Sequence, residues 1–207
     1  MLSSCHFTLY SAIGLAPNPW KVVIILEELG LEYESIYLDT GKGDQKLESH
    51  TKHNPNGRVP TLIDYKNDEF VVWESCAIVQ YLIEKYDTEH KISFAGLEDR
   101  ILLSQWLFFQ ASGQGPYFGQ AGWFTFYHHE TVPSAIERYR NEIVRVIGVL
   151  DSTLATRQWN RAAIGYALQV GWDGLNVDEF PHFKRWHNEL LARPAVAKTI
   201  ATWDKKV

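Results

Sequence analysis

The chain has 207 residues, 45% of them hydrophobic and 22% charged, with a formal net charge of −5. It is too apolar for a disordered chain and long enough to bury a core as one large domain or two small ones. The acidic balance argues against nucleic acid or an anionic membrane as the main partner.

In chain order, residues 6–10 (H-F-T-L-Y) predict a short strand. Residues 19–30 place Val22, Ile25, Leu26 and Leu29 at helical spacing, and Gly30 stops that helix. Tyr33 to Leu38 predict a second strand, residues 39–57 a polar loop, and Val59 to Asp64 a third strand. Phe70 to Trp73 predict a fourth, joined to the third by a turn at Asn67-Asp68. A helix follows from about Ser75 to Tyr86. The order βαβ then ββα implies one parallel pair and one hairpin.

Residues 87–97 are polar and read as a linker, and from Glu98 onward no strand signal remains. Ile101 to Phe109 is apolar nearly all round, which predicts a buried helix. Gly113, Gly115 and Pro116 predict a kink after it. Residues 134–156 are the clearest amphipathic helix, with Ile136, Tyr139, Ile143, Val146 and Leu150 on one face. Ala162 to Val170 predict another helix, Phe180 to Ala192 one capped by Asp178, and Pro194 opens a last one. The expected organisation is an α/β domain over 1–87, a linker over 88–97 and an all-helical domain over 98–207.

No apolar run is long enough to span a bilayer, and the first residues lack the pattern of a secretory signal. Cys5 and Cys76 form no C-x-x-C or zinc spacing and read as free thiols in a reducing compartment, the cytosol. His128-His129-Glu130 does not read as a metal site, because adjacent residues point apart on a helix; no metal is expected.

Three places carry candidate chemistry. Val59-Pro60 opens the third strand, where a missing N–H is tolerable. An ordinary trans bond is the commoner form; a cis bond would turn the Val59 backbone toward an extended peptide ligand. Glu74-Ser75 precedes a helix. Ser75 serves as a cap, or its hydroxyl and the helix N–H groups bind a carboxylate while Glu74 binds an ammonium group. That pair of charges suits the zwitterionic end of a small peptide. Asn18, between Pro17 and Pro19, reads as an N-cap at the end of the first βα connection, where α/β folds place ligands. Its amide could also donate to a thiolate, which the helix dipole would favour. Ser11 is a second candidate donor to a thiol, with a plain turn residue as its other reading.

F-T-L-Y-S…A-P-N, N-P-N-G-R-V-P-T-L-I-D, W-E-S-x-A-I-x-x-Y-L and W-L-F-F-Q-x-S-G-Q-G-P-Y-F-G-Q-A together resemble a cytosolic glutathione transferase. The resemblance covers about residues 6–205 and is nearest to the fungal branch related to the yeast nitrogen-catabolite-repression regulator. It implies a thioredoxin-like N-terminal domain, a helical C-terminal domain, a homodimer and glutathione as cosubstrate. It further implies that Val59, beside a cis Pro60, pairs with the cysteinyl backbone and that Glu74 and Ser75 hold the γ-glutamyl end. Asn18 would then sit near the sulfur and Gln45 near the glycyl end. The expected activity is conjugation of a small electrophile, or glutathione-dependent disulfide or peroxide reduction, in a detoxifying role. A non-catalytic regulatory or interaction protein on the same fold is the alternative. The Asn/Gln-rich arm of the regulator has no expected counterpart, since the first strand begins six residues in.

The chain departs from the family in two places. Pro19 stands where the branch usually has Gly. The helical domain reads as shortened, because Thr156-Arg157-Gln158-Trp159 runs straight into Asn160-Arg161-Ala162 without the S/T-x-x-D cap of the family's most buried helix. Losing a cap and core side chains predicts a cost of several kcal/mol, with about 2–5 for each large buried side chain.

Overall fold

The computed structural model describes residues 5–14, 16–156 and 176–203. Its contacts divide the chain into two compact units. One runs through Ala95 and takes the chain up again at Arg193; the other is Gly96–Ala192.

The first unit is built on a four-stranded sheet in the order β2-β1-β3-β4. Strand β1 (Phe7–Ala12) pairs parallel with β2 (Tyr33–Leu38) and antiparallel with β3 (Thr61–Asp64), which pairs antiparallel with β4 (Phe70–Trp73). Helices α1 (Pro17–Leu29), α2 (Glu48–Thr51) and α3 (Ser75–Tyr86) complete it, and α1 packs against α3. This is the thioredoxin-like arrangement. Phe7 and Leu9 of β1, Leu62 and Ile63 of β3, Val22, Ile25 and Leu26 of α1 and Ile78, Val79 and Leu82 of α3 form its core. Gly30 ends α1 at φ 65°, a left-handed position that favours glycine. The β3–β4 hairpin turns through Asp68 and Glu69, both at positive φ, and closes with Phe70 N–H donating to Asn67 O at 2.9 Å.

Strand β1 runs two residues beyond the expected end because its parallel register with β2 continues through Ser11↔Tyr37 and Ala12↔Leu38. The segment expected as a linker is folded into this unit as far as Ala95. Asp87 and Ile92 are buried, and the Asp87 carboxylate accepts from the backbone N–H of Lys91 at 2.7 Å and of Ile92 at 3.0 Å.

The last helix, α8 (Pro194–Trp203), also belongs to the first unit, although sequence composition groups it with the helical half. The reason is electrostatic as well as apolar. Arg193 makes a two-pronged contact to Glu28, both bonds at 2.7 Å, and Lys198 reaches Glu27 at 2.6 Å. Those acids lie in the last turn of α1, where the helix dipole disfavours negative charge, so the two cations relieve an unfavourable position.

The second unit is helical among its described residues. Helix α4 (Leu97–Phe109) leads into a π-helical turn at Gln110–Gln114, then α5 (Gly115–Gly122), then a second π-helical turn at Trp123–Tyr127. The expected kink near Gly113 thus takes the form of a widened turn. Gly115 relieves crowding there, since a Cβ would lie 3.2 Å from Gln110 O and push that carbonyl aside by a few tenths of an ångström. Helix α6 (Pro133–Leu154) buries Ile143, Val146, Ile147, Leu150 and Leu154. Helix α7 (Pro181–Leu191) buries Phe183, Trp186 and Leu190 and packs on α6.

Two expectations are corrected in this unit. The Ile101–Phe109 stretch is not buried all round: Leu103 and Leu107 are, whereas Ile101 is 60% and Phe108 65% exposed. A helix on the surface of a small unit has only one covered face, whatever its sequence. Asp178 does not cap α7 either. It lies in a 3₁₀ turn (Val177–Glu179) capped by Asn176, and its carboxylate contacts Lys184. The first turn of α7 is capped from a distance, by Asp151 of α6 accepting from Phe183 N–H at 2.8 Å. The expected Ala162–Val170 helix and the shortened stretch after Thr156 lie outside the described residues.

Candidate functional site

The connection into β3 is held by one buried side chain. Asn54, 2% exposed, donates through Nδ2 to Arg58 O at 2.7 Å and to Thr61 Oγ1 at 2.9 Å. Its Oδ1 accepts from Asn56 N–H at 3.0 Å. Thr61 Oγ1 is 3.1 Å from His50 Nε2, and His50 Nδ1 is 2.9 Å from Gln45 O. A consistent assignment has the Thr61 hydroxyl donating to His50 Nε2 and Nδ1–H donating to the carbonyl. Gly57 takes φ 57° and lets the loop close against Lys46, where a Cβ would meet the lysine side chain at 2.9 Å. The N-P-N-G-R-V-P run is therefore one hydrogen-bonded unit. Its final peptide bond, Val59-Pro60, is cis. Strand pairing begins only at Thr61, so Val59 stays outside the ladder.

Two helix starts face this loop. Helix α1 begins at Pro17, one residue before the expected cap. Ala16 occupies the cap position, and no side chain caps the helix. Asn18 therefore sits inside the first turn, exposed, with its Oδ1 accepting a long hydrogen bond of 3.5 Å from Ser75 Oγ. The expected Asn18 cap is corrected: Pro17 already satisfies the proline preference of the first turn. Ser75 is likewise the first residue of α3 and not its cap. Glu74 holds the cap position at φ 70°, ψ 113°, without a side-chain cap bond. A left-handed glutamate is a strained arrangement that the surroundings must hold in place, and it turns its side chain outward.

Asn18, Asn54, Asn56, Arg58, Val59, Pro60, Glu74 and Ser75 line a cavity of about 360 Å³ whose walls are almost wholly polar. Of the residues singled out from the sequence, Asn18, Val59, Pro60, Glu74 and Ser75 are brought together here. Ser11 is not: it lies within β1, 2% exposed, and does not line the cavity. Its β1–β2 pairing carries it into the sheet. Gln45 also lies outside the lining, with Nε2 on Thr40 O at 3.4 Å. Asn54, Asn56 and Arg58 were not read as site residues. Their signal was present in the same loop motif, where a polar residue every other position flanks Val59.

The charges are balanced. Arg58 supplies one exposed cation and Glu74 one exposed anion, and the N-terminus of α3 adds a partial positive charge between them. A ligand carrying both carboxylate and ammonium groups matches this set. Among the described residues no cluster of His, Cys, Asp and Glu is arranged to hold a metal ion.

The family model described as "Glutathione S-transferase, N-terminal domain" matches residues 6–84. The chain is 50% identical to Glutathione S-transferase 2 of Schizosaccharomyces pombe, over 94% of this chain and 95% of that protein. That alignment runs over 219 positions, more than the 207 residues here, so the relative holds residues with no counterpart in this chain. Protein URE2 of Meyerozyma guilliermondii is 35% identical over 94% of this chain and 79% of its own length. Among solved structures, the glutathione transferase URE2P6 from Phanerochaete chrysosporium, in complex with oxidized glutathione, is 48% identical. It superposes with a TM-score of 0.94 over the full length of both chains.

Proposed function

We propose, from the premise that this chain belongs to the glutathione S-transferase family, that the cavity of its first unit binds glutathione with the sulfur at the first turn of α1. The observation that carries this reading is the convergence of Asn18, Val59, Glu74 and Ser75, from three separate segments, on one polar cavity. Glutathione offers an ammonium and a carboxylate on its γ-glutamyl carbon, an extended backbone, a thiol and a second carboxylate. Glu74 takes the ammonium, and Ser75 with the first N–H groups of α3 takes the adjacent carboxylate. The unpaired backbone of Val59 adds the cysteinyl segment as a short extra strand. Arg58, the cation in the lining, takes the glycyl carboxylate in place of Gln45.

Asn18 acts on the sulfur. Its Oδ1 faces Ser75, which leaves the amide NH₂ for the ligand. An amide cannot accept a proton at neutral pH, so Asn18 stabilises the thiolate and is not a base; the proton leaves to solvent. The thiolate then attacks a small electrophile, forming a thioether as the leaving group departs, or exchanges with a disulfide. The enzyme works in the cytosol as a homodimer. Cys5 and Cys76 are not joined in a disulfide, in keeping with a reducing compartment. The similarity to Protein URE2 favours one second reading, a glutathione-binding regulator without turnover.

Titration calorimetry with glutathione, followed by assay with a chlorinated nitroarene and with a glutathione mixed disulfide, separates these readings. Binding with turnover is the expected result. Binding without turnover selects the regulator, and no binding at millimolar glutathione overturns both.

A further inference from the structure

Lys21 is a buried cation that the proposed chemistry leaves without a task. It lies three residues after Asn18, on the same face of α1, and is only 3% exposed. Its Nζ donates to Cys76 Sγ at 3.3 Å, and Cys76 directly follows Ser75 in α3. Asn18–Ser75 and Lys21–Cys76 are thus neighbouring contacts between the same two helices, the first lining the cavity and the second outside its lining.

Burying an ammonium group is costly, and an apolar side chain of the same length would fill the space between α1 and α3 without that cost. Burial pushes the Lys21 amine below its ordinary range, while Cys76 and Glu74, the titratable groups that act on it, pull it back up. A buried amine in the same helix–helix contact as two residues that line a polar cavity is placed to act on what binds there.

We propose that Lys21 is a positioning residue of this site, whose buried ammonium supplies a fixed positive charge that favours the thiolate of bound glutathione over its thiol. This inference rests on the glutathione reading above. Lys21 acts through the field at the first turns of α1 and α3, not by touching the ligand. Lysine at this depth is shielded from solvent, so its field is weakly screened.

The test is the ultraviolet absorbance of the thiolate of bound glutathione, titrated against pH in the wild type, Lys21→Met and Lys21→Arg. The expected result for Lys21→Met is a thiolate titration moved up by roughly one pH unit, which is about tenfold less thiolate at neutral pH. Glutathione affinity below the transition, where the sulfur is protonated, stays at the wild-type level. Lys21→Arg keeps the charge and titrates like the wild type. A Lys21→Met titration that overlays the wild type overturns the proposal. Should Lys21→Met fail to fold, the arginine variant decides: wild-type titration supports the proposal and an upward move overturns it. A wild type that binds no glutathione overturns the underlying reading instead, a distinguishable outcome.

Discussion

The two ends of β3 are both polar and both buried, and the Thr61 end adjoins the cavity described above. They lie roughly 10 Å apart, three residue steps at about 3.4 Å each. At the first end Thr61 joins Asn54 and His50 in a hydrogen-bonded chain that fixes the loop around the cavity. At the other, Asp64, 0% exposed, accepts from Tyr81 OH at 2.6 Å, from Tyr86 OH and from Lys66 N–H at 2.9 Å, with His6 Nε2 at 3.3 Å. The second cluster is the richer in titratable groups, and a search by buried charge alone would choose it. It is closed on itself, because its hydroxyls and ring nitrogen all point at one carboxylate. At the Thr61 end the network holds the backbone and leaves Asn18, Arg58 and Glu74 facing solvent. Capacity left over for a ligand distinguishes a site from a structural network.

That contrast breaks most visibly at Asp64. Replacing it with alanine strands several buried donors and should cost about 3–5 kcal/mol, a large share of a typical domain stability of roughly 5–15. Glutathione affinity of the protein that remains folded should be unchanged. A selective loss of affinity, measured by calorimetry beside a denaturant melt, would contradict the division of labour. Asn54→Ala removes three hydrogen bonds at the other end and should cost about 3 kcal/mol in the same melt. Here the affinity should fall as well, by at least tenfold, because the loop carrying Val59 and Arg58 loses its anchor. Stability and affinity moving independently in this variant would show that the loop holds its shape without Asn54.

Asn18→Ala sharpens the comparison from the ligand's side. It should leave the melting temperature within about 1 °C of wild type while lowering the rate of thioether formation. Losing one hydrogen bond to a charged acceptor is worth about 1.5–3 kcal/mol, roughly ten- to a hundredfold. Unchanged rates would remove Asn18 from the mechanism.

The smallest effect belongs to Tyr81. Burial, then its bond to Asp64, pushes this phenol up to about 12 from the ordinary 10.0. A group whose folded pKa is raised contributes stability that is complete below its unfolded pKa and is lost as pH rises through the folded one. Stability should therefore decline from pH 10 toward 12, and Tyr81→Phe should flatten that decline at a cost of about 1 kcal/mol at neutral pH. Identical alkaline melts for the two proteins would sink the assignment.

Much of the first unit was legible in the order of its residues. Strands β2 and β4 and helix α3 start and stop where alternation, turn residues and helical spacing place them. These signals are local, and so are their physical causes. The ends that shifted were decided by partners far along the chain. Strand β1 was lengthened by its register with β2, and α7 was capped by Asp151, thirty-two residues earlier. The site shows the same split. Asn18, Val59, Glu74 and Ser75 could be singled out because each sits at a strand or helix start, where unpaired backbone groups make ligand chemistry available. Ser11 could not be judged that way, since its burial depends on strands that flank it from elsewhere in the chain.

By itself, then, the sequence determined the elements of the first unit, the family and the residue types able to meet a small zwitterionic peptide, because propensity, turn chemistry and motif spacing act over a few residues. Only the tertiary structure decided which of those residues share a cavity, that Arg58 lines it and Gln45 does not, that α8 returns to α1 through Arg193 and Lys198, and that Lys21 is buried against Cys76. Each of those outcomes depends on burial and on pairing across long stretches of chain, quantities that exist only once the chain has folded.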